Sequence, residues 1–262
     1  MILPQGEPQL LTWLSWLMVA AGLLSFLMLR WVHVPYGRYS SHIFGPQLPV
    51  RLAWFMQELP ALVLPLYLLV TRPTLHLAHT ANCVLLAAFL CHYLHRTLIF
   101  PFLIRGGKPT PFITFTLAFV FCGYNGYLQS SYIISYAEYP PDWTRDPRFI
   151  IGISLWLTGS LINIHSDHIL RNLRAPGETD YKIPRGGLFE YVSGANFFGE
   201  IVEWTGLLLL AGLFKVCLLP YYIYDFDSRA QHIISGTLKN LKTTQRGETS
   251  WFPIYINWYF QI

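Results

Sequence analysis

The chain has 262 residues, of which 53% are hydrophobic and 12% charged, about half the charged share of an ordinary soluble domain. A soluble fold of this size has nowhere to bury that much apolar surface. The formal net charge of +4 resides in short loops without a basic stripe interleaved with aromatics, which excludes nucleic acid as the expected partner.

An α-helix needs roughly 20 apolar residues to cross about 30 Å of hydrocarbon. Runs that meet this need lie at about 9–29, 52–71, 82–104, 111–135, 149–166 and 197–214, with a seventh, less sharply bounded run ending near 224. The first reads as a retained span rather than a signal peptide, because Met1 to Pro8 holds no Lys or Arg and the run is longer than a signal core. Lys and Arg of short loops collect on the cytosolic side. Here Arg30, Arg38 and Arg51 follow the first run, Arg105 and Lys108 the third, and Arg171, Arg174, Lys182 and Arg185 the fifth. The sequence therefore predicts an all-α integral membrane protein with seven transmembrane helices, its N-terminus outside or lumenal and its C-terminus cytosolic, as one membrane domain spanning 1–262. Cys83, Cys91, Cys122 and Cys217 all fall in apolar runs without zinc or disulfide spacing and read as packing residues.

A strongly polar side chain inside a span is costly and marks a site. The second run carries Gln57 and Glu58, the latter readable as a hydrogen-bonding anchor, a proton donor or the partner of an Arg. The third holds His92, Tyr93, His95 and Arg96. A buried tyrosine there can donate to a carbonyl oxygen and stabilise an enolate, although an interfacial aromatic beside a snorkelling Arg96 has the same spacing. In the fifth run Asn163, Asp167, Arg171 and Arg174 follow steps of four, four and three, a face suited to a ribose and a phosphate, or to charges that pair among themselves. The loop beyond it, with Tyr181, Lys182, Arg185, Gly186 and Gly187, can turn tightly or approach a phosphate, yet lacks the GxGxxG and GxxxxGK patterns. The sixth run adds Asn196, Glu200 and Glu203, suited to a carboxamide or to answering the arginines of the fifth.

Two other classes compete. Three His-x-x-His pairs, at 76/79, 92/95 and 165/168, suggest a di-iron membrane hydroxylase or desaturase, although that chemistry usually draws on about eight clustered histidines. A non-enzymatic transporter also fits seven spans with intramembrane charges. The arginine-rich, glycine-containing loop continuous with the polar helix faces favours a nucleotide site instead.

The segments "AWFMQELP", "HYLHRTLIFPFLIRGGKP", "NGYLQSSY", "DPRFIIG" and "LINIHSDHILRNLRAPGETDYKIPRGGLFEYVSGANFFGEIVEW" resemble the steroid 5-alpha-reductase family over roughly residues 30–206. The resemblance implies that helices one to four (about 1–135) hold a 3-oxo-4-ene steroid and that about 149–232 hold NADPH. It implies that Glu58 and Tyr93 hydrogen-bond the steroid 3-keto oxygen with Gln57 beside them. Asn163, Asp167, Arg174, Tyr181, Asn196 and Glu200 then contact the cofactor, Arg105 and Lys108 lie near its phosphates, and Arg229 contributes from the tail. No metal is implied. Hydride goes to C5, the 3-oxygen becomes an enolate, and C4 is protonated afterwards. The implied setting is a monomer in the lipid bilayer, in the endoplasmic reticulum membrane of a eukaryote or the inner membrane of a bacterium. After Gly206 the resemblance fades, and Ser228 to His232 begin the family's tail before "IISGTLKNLKTTQ" replaces it. Back-translated and read one nucleotide out of phase, that stretch can encode HHKWYLKKFEDYP, so residues from about Ile233 read as a shifted frame.

Overall fold

A computed structural model describes residues 6–28, 45–174 and 182–212. The chain runs through α1 (Glu7–Met28), α2 (Val50–Thr71) and α3 (Thr80–Leu94), which passes through a π turn (His95–Ile99) into the short α4 (Phe100–Leu103). Then follow α5 (Phe112–Ser135), α6 (Pro147–Arg171) and α7 (Ala195–Leu210). The only sheet among the described residues is a two-residue pairing of β1 (Gln47–Leu48) with β2 (Thr110–Pro111), antiparallel, which draws together the entries to α2 and α5.

Each of the first six apolar runs coincides with helix, and α6 continues to Arg171 beyond the expected end at 166, with Asp167 buried and the turn after it leaving the bundle. The seventh run and the tail lie outside the described residues. Among the described residues four stretches are long and apolar enough to cross a membrane: Glu7–Ser25, Val50–Thr71, Thr80–Leu103 and Pro147–Arg171. α5 has the length but carries Asn125, Gln129, Ser130 and Ser131, and α7 is 16 residues long. Leu17, Leu24, Val70, Leu117 and Leu161 are exposed on these helices, as expected of side chains whose solvent is hydrocarbon.

Without a hydrophobic drive between helices in lipid, close packing needs small residues. α6 and α7 meet through Gly152 and Gly159 on one side and Gly199 and Gly206 on the other, each pair seven residues apart and so on one face. A Cβ at Gly159 would lie 2.2 Å from the Glu203 backbone nitrogen, and one at Gly206 would lie 2.4 Å from that of Trp156. α2 and α5 touch in the same way, with Gly126 pressed against the Ala61 backbone (2.9 Å for a Cβ).

Charge pins the remaining helix. Glu7, 3% exposed, takes both Arg72 guanidinium nitrogens (2.7 and 3.1 Å) and accepts from the hydroxyls of Tyr127 and Tyr136 (2.6 Å each). A carboxylate with four donors is fully satisfied, which makes its removal from water tolerable and ties α1 to α2 and α5. Asn82 donates to the Ile133 and Ala137 carbonyls, which closes the C-terminal end of α5.

At the start of α6, Asp146 caps the helix through the Arg148 backbone N–H (2.8 Å) and pairs with the Arg148 side chain (2.8 Å). The Arg148 side chain and then its backbone N–H hold the Asp146 carboxyl at about 2, below its ordinary 3.8. A lowered folded value means that the cap contributes in full above about pH 4 and is lost as pH falls through about 2. The difference in thermal midpoint between wild type and Asp146→Ala in detergent is accordingly expected to persist from pH 7 to about 4 and to close below that.

Candidate functional site

Three polar clusters inside the helices adjoin one another. On α2, Gln57 and Glu58 are buried, the Gln57 amide donates to Glu58 Oε1 (3.3 Å), and the Cys122 thiol from α5 donates to Glu58 Oε2 (3.4 Å). Glu58 is thus a hydrogen-bonding anchor, and the nearby Arg51 donates instead to the Ile104 carbonyl (2.6 Å). In the last turn of α3, Tyr93 is 2% exposed and its hydroxyl oxygen accepts from Asn125 Nδ2 (2.8 Å). Its ring is held by Phe89, His92 and Trp204, with centroids 4.7, 5.0 and 6.1 Å away.

The π turn follows directly, and one extra residue in that turn changes which side chains face inward. Arg96 is 6% exposed, so it does not snorkel to headgroups. Its guanidinium lies over the rings of Trp54 (4.8 Å) and Phe100 (4.4 Å) and reaches Asp167 of α6 (3.1 Å) and Glu200 of α7 (3.2 Å). One turn earlier, His92 Nδ1 sits 2.9 Å from Glu203 Oε1. The acids of α7 therefore answer α3, not the arginines of α6 as spacing allowed.

Along α6 the predicted polar face divides in two. Asn163 and Asp167 are buried, and Asn163 Nδ2 donates to the Asn196 carbonyl (2.9 Å) and to Glu200 Oε1 (3.2 Å), while the Asn196 side chain hydrogen-bonds Asp167. Beyond them the helix leaves the bundle: Arg171 Nη2 lies 3.0 Å from His168 Nδ1, and Arg174 is exposed. Arg105 Nη1 donates to Asn172 Oδ1 (2.8 Å), which ties the loop after α4 to this end of α6, and Lys108 is exposed on the same loop. An open groove of about 700 Å³ lies there between α6 and the returning loop, lined by His168, Asn172, Lys182 and Arg185. Gly186 and Gly187 turn the loop at φ +91° and +54°, and a Cβ at Gly187 would meet the His165 ring at 2.5 Å. Tyr181 and Arg229 lie outside the described residues.

Among the described residues no group of three or more His, Cys, Asp or Glu is placed to hold a metal ion. His76 lies within a short 3₁₀ turn after α2 (Leu75–Ala78) and His79 caps it, whereas the other two pairs belong to α3 with its π turn and to α6.

His92, Arg96 and Glu203 stand among the polar residues of their runs in the sequence, but the family resemblance assigns none of them a role. The π turn and the sequence separations of 71 to 111 residues across these pairs are tertiary facts that helical spacing does not carry.

A bundle of apolar helices that buries a phenol, an imidazole, a guanidinium and carboxylates in one connected cluster has the construction of a membrane-embedded enzyme. The model of a family described as 3-oxo-5-alpha-steroid 4-dehydrogenase matches residues 108–235, so the match runs past Gly206 to the edge of the divergent tail. The chain is 58% identical over 206 residues to 3-oxo-5-alpha-steroid 4-dehydrogenase 1 of Bos taurus, covering 78% of this chain and 80% of that one. It is 52% identical over 223 residues to the same-named protein of Homo sapiens (85% and 86%), and 50% identical over 176 residues to 3-oxo-5-alpha-steroid 4-dehydrogenase 2 of Sus scrofa (66% and 68%). The chain belongs to the 3-oxo-5-alpha-steroid 4-dehydrogenase family, and it is an oxidoreductase of steroid metabolism.

Proposed function

We propose that this protein reduces the 4,5 double bond of 3-oxo-4-ene steroids such as testosterone or progesterone, with NADPH as reductant, to give 5-alpha-3-oxosteroids. The observation that carries this reading is the junction of Tyr93 and Glu58, each buried and each supported from α5, with the α6–α7 polar face through His92 and Arg96. Hydride accepted at C5 shifts the π electrons onto the 3-oxygen. Tyr93 donates to that oxygen as its charge develops, Glu58 shares or tunes the proton with Gln57 beside it, and C4 is protonated afterwards.

The donor set fits a nicotinamide dinucleotide, which when bound supplies the hydride. Buried Ser166 Oγ, next to Asp167, has no hydrogen-bond partner among the described residues and is free for a ligand atom. Asn163, Asp167, Asn196 and Glu200 hold the cofactor in this reading, with Arg105, Lys108 and Arg174 near its phosphates and Tyr181 and Arg229 completing the site. The steroid half is 1–135 and the cofactor half 149–232. The protein works as a monomer with seven spans, its N-terminus lumenal and its cofactor site cytosolic, in the endoplasmic reticulum membrane; an N-terminal tag protected from protease in sealed microsomes is the expected result. From about Ile233 the tail is read as a shifted frame, and a transcript that encodes the printed residues in an unbroken frame removes that reading.

Single-turnover conversion of testosterone by the purified chain with NADPH tests the assignment. Tyr93→Phe is expected to slow it by about 10²- to 10³-fold, as for loss of an oxyanion donor, and Glu58→Gln by at least about tenfold. Dihydrotestosterone formed at the wild-type rate by both variants removes the roles.

A further inference from the structure

We propose that Asn125 is the positioning residue that aims the Tyr93 hydroxyl, so that one face of α5 sets the donor geometry of the reaction. This rests on the reading of Tyr93 as the donor to the steroid carbonyl.

A phenol has one proton to give and an oxygen that can accept. The Tyr93 ring is already fixed by Phe89, His92 and Trp204, so the freedom left to it is rotation of the O–H. Asn125 Nδ2 donates to that oxygen at 2.8 Å, which occupies a lone pair and leaves the proton to point elsewhere. A hydroxyl that accepts one hydrogen bond also becomes a stronger donor in the next.

Asn125 is fully buried, and its own Oδ1 has no hydrogen-bond partner among the described residues. An unmet buried acceptor costs stability, so the amide is held at a loss that an apolar residue of the same size would avoid. Asn82 makes the comparison: its amide nitrogen goes to two backbone carbonyls at a helix end, whereas that of Asn125 goes to a single side-chain oxygen. Three residues before Asn125 on the same face of α5, Cys122 supports Glu58. The contact of Gly126 with the Ala61 backbone keeps α5 from sliding along α2, which fixes both supports at once.

The test uses the full chain in detergent with NADPH and testosterone and compares wild type, Asn125→Ala, Asn125→Asp, Tyr93→Phe and the Asn125→Ala/Tyr93→Phe double variant. Asn125→Ala is expected to lower kcat roughly ten- to hundredfold with KM changed less than about twofold, and to have no further effect once Tyr93 is Phe. The carbonyl stretch of bound testosterone, read by infrared difference, moves toward its free value in Asn125→Ala. Asn125→Asp keeps the shape and serves where the alanine variant does not fold. When ionised, its carboxylate accepts a hydrogen bond from the phenol O–H and turns that donor away from the substrate, so its rate rises toward acid pH over a range where wild type does not change. A slow Tyr93→Phe beside a wild-type Asn125→Ala, or equal losses from Asn125→Ala in both backgrounds, overturns the role of Asn125 alone. Full activity in Tyr93→Phe overturns that role together with the donor reading beneath it.

Discussion

Gly159→Ala is expected to force α6 and α7 apart and to leave little folded protein. The new Cβ would stand 2.2 Å from the Glu203 nitrogen and 2.5 Å from the Gly199 carbonyl oxygen, both backbone atoms that no rotamer change can move aside. Relief requires a shift of more than about 1 Å along a seam that is also closed by Gly152, Gly199 and Gly206, at a cost of about 3 kcal/mol or more. The same shift pulls Asn163 from Asn196 and Glu200, and Glu203 from His92. Thermal unfolding and size-exclusion profiles in detergent measure it, with Gly123→Ala as control, since a Cβ there meets only Pro60 Cβ at 3.7 Å. Equal stability of the two variants would show that the helices do not approach so closely.

The second large effect is expected at Arg96. Arg96→Met keeps most of the side-chain volume but removes the guanidinium that reaches both Asp167 and Glu200, and uncompensated buried carboxylates cost about 3–5 kcal/mol. Arg96→Lys restores a charge without the planar fork and without the same stacking on Trp54 and Phe100, so it should fall between. Thermal midpoints with and without NADPH separate the effects. The methionine variant loses stability in both conditions and gains less from NADPH, the cofactor proposed above, than wild type does. A methionine variant as stable as wild type would mean that the ion pairs of Arg96 contribute nothing to joining the π turn after α3 to α6 and α7.

Much of this architecture was legible in the residues. Run length and polarity located the helices because a span's length is dictated by the bilayer, and intramembrane polar groups such as Glu58, Tyr93, Asn163 and Asp167 stand out in any apolar run. What periodicity could not reveal is which helix faces which. Arg96 fits a snorkelling cation equally well until α6 and α7 are placed beside it. The seven-residue spacing of Gly152/Gly159 and Gly199/Gly206 is visible in the sequence, yet it becomes a contact only when the two faces meet. Asn125 lies in a segment that carried the family resemblance, but its link to Tyr93 spans 32 residues and two helices. Glu7 stands at the edge of a predicted span, where an acid needs no partner until the structure buries it.

The Glu7 cluster bears on how the chain is assembled during synthesis. Its partners lie 65, 120 and 129 residues downstream, so at ~5–20 residues per second the carboxylate precedes its last tyrosine by roughly 6–26 s. Arg72, its cation, follows after 65 residues with α2, whereas the two tyrosine hydroxyls come only with α5. The charge of Glu7 is thus answered first by α2, and its set of donors is completed only when α5 arrives.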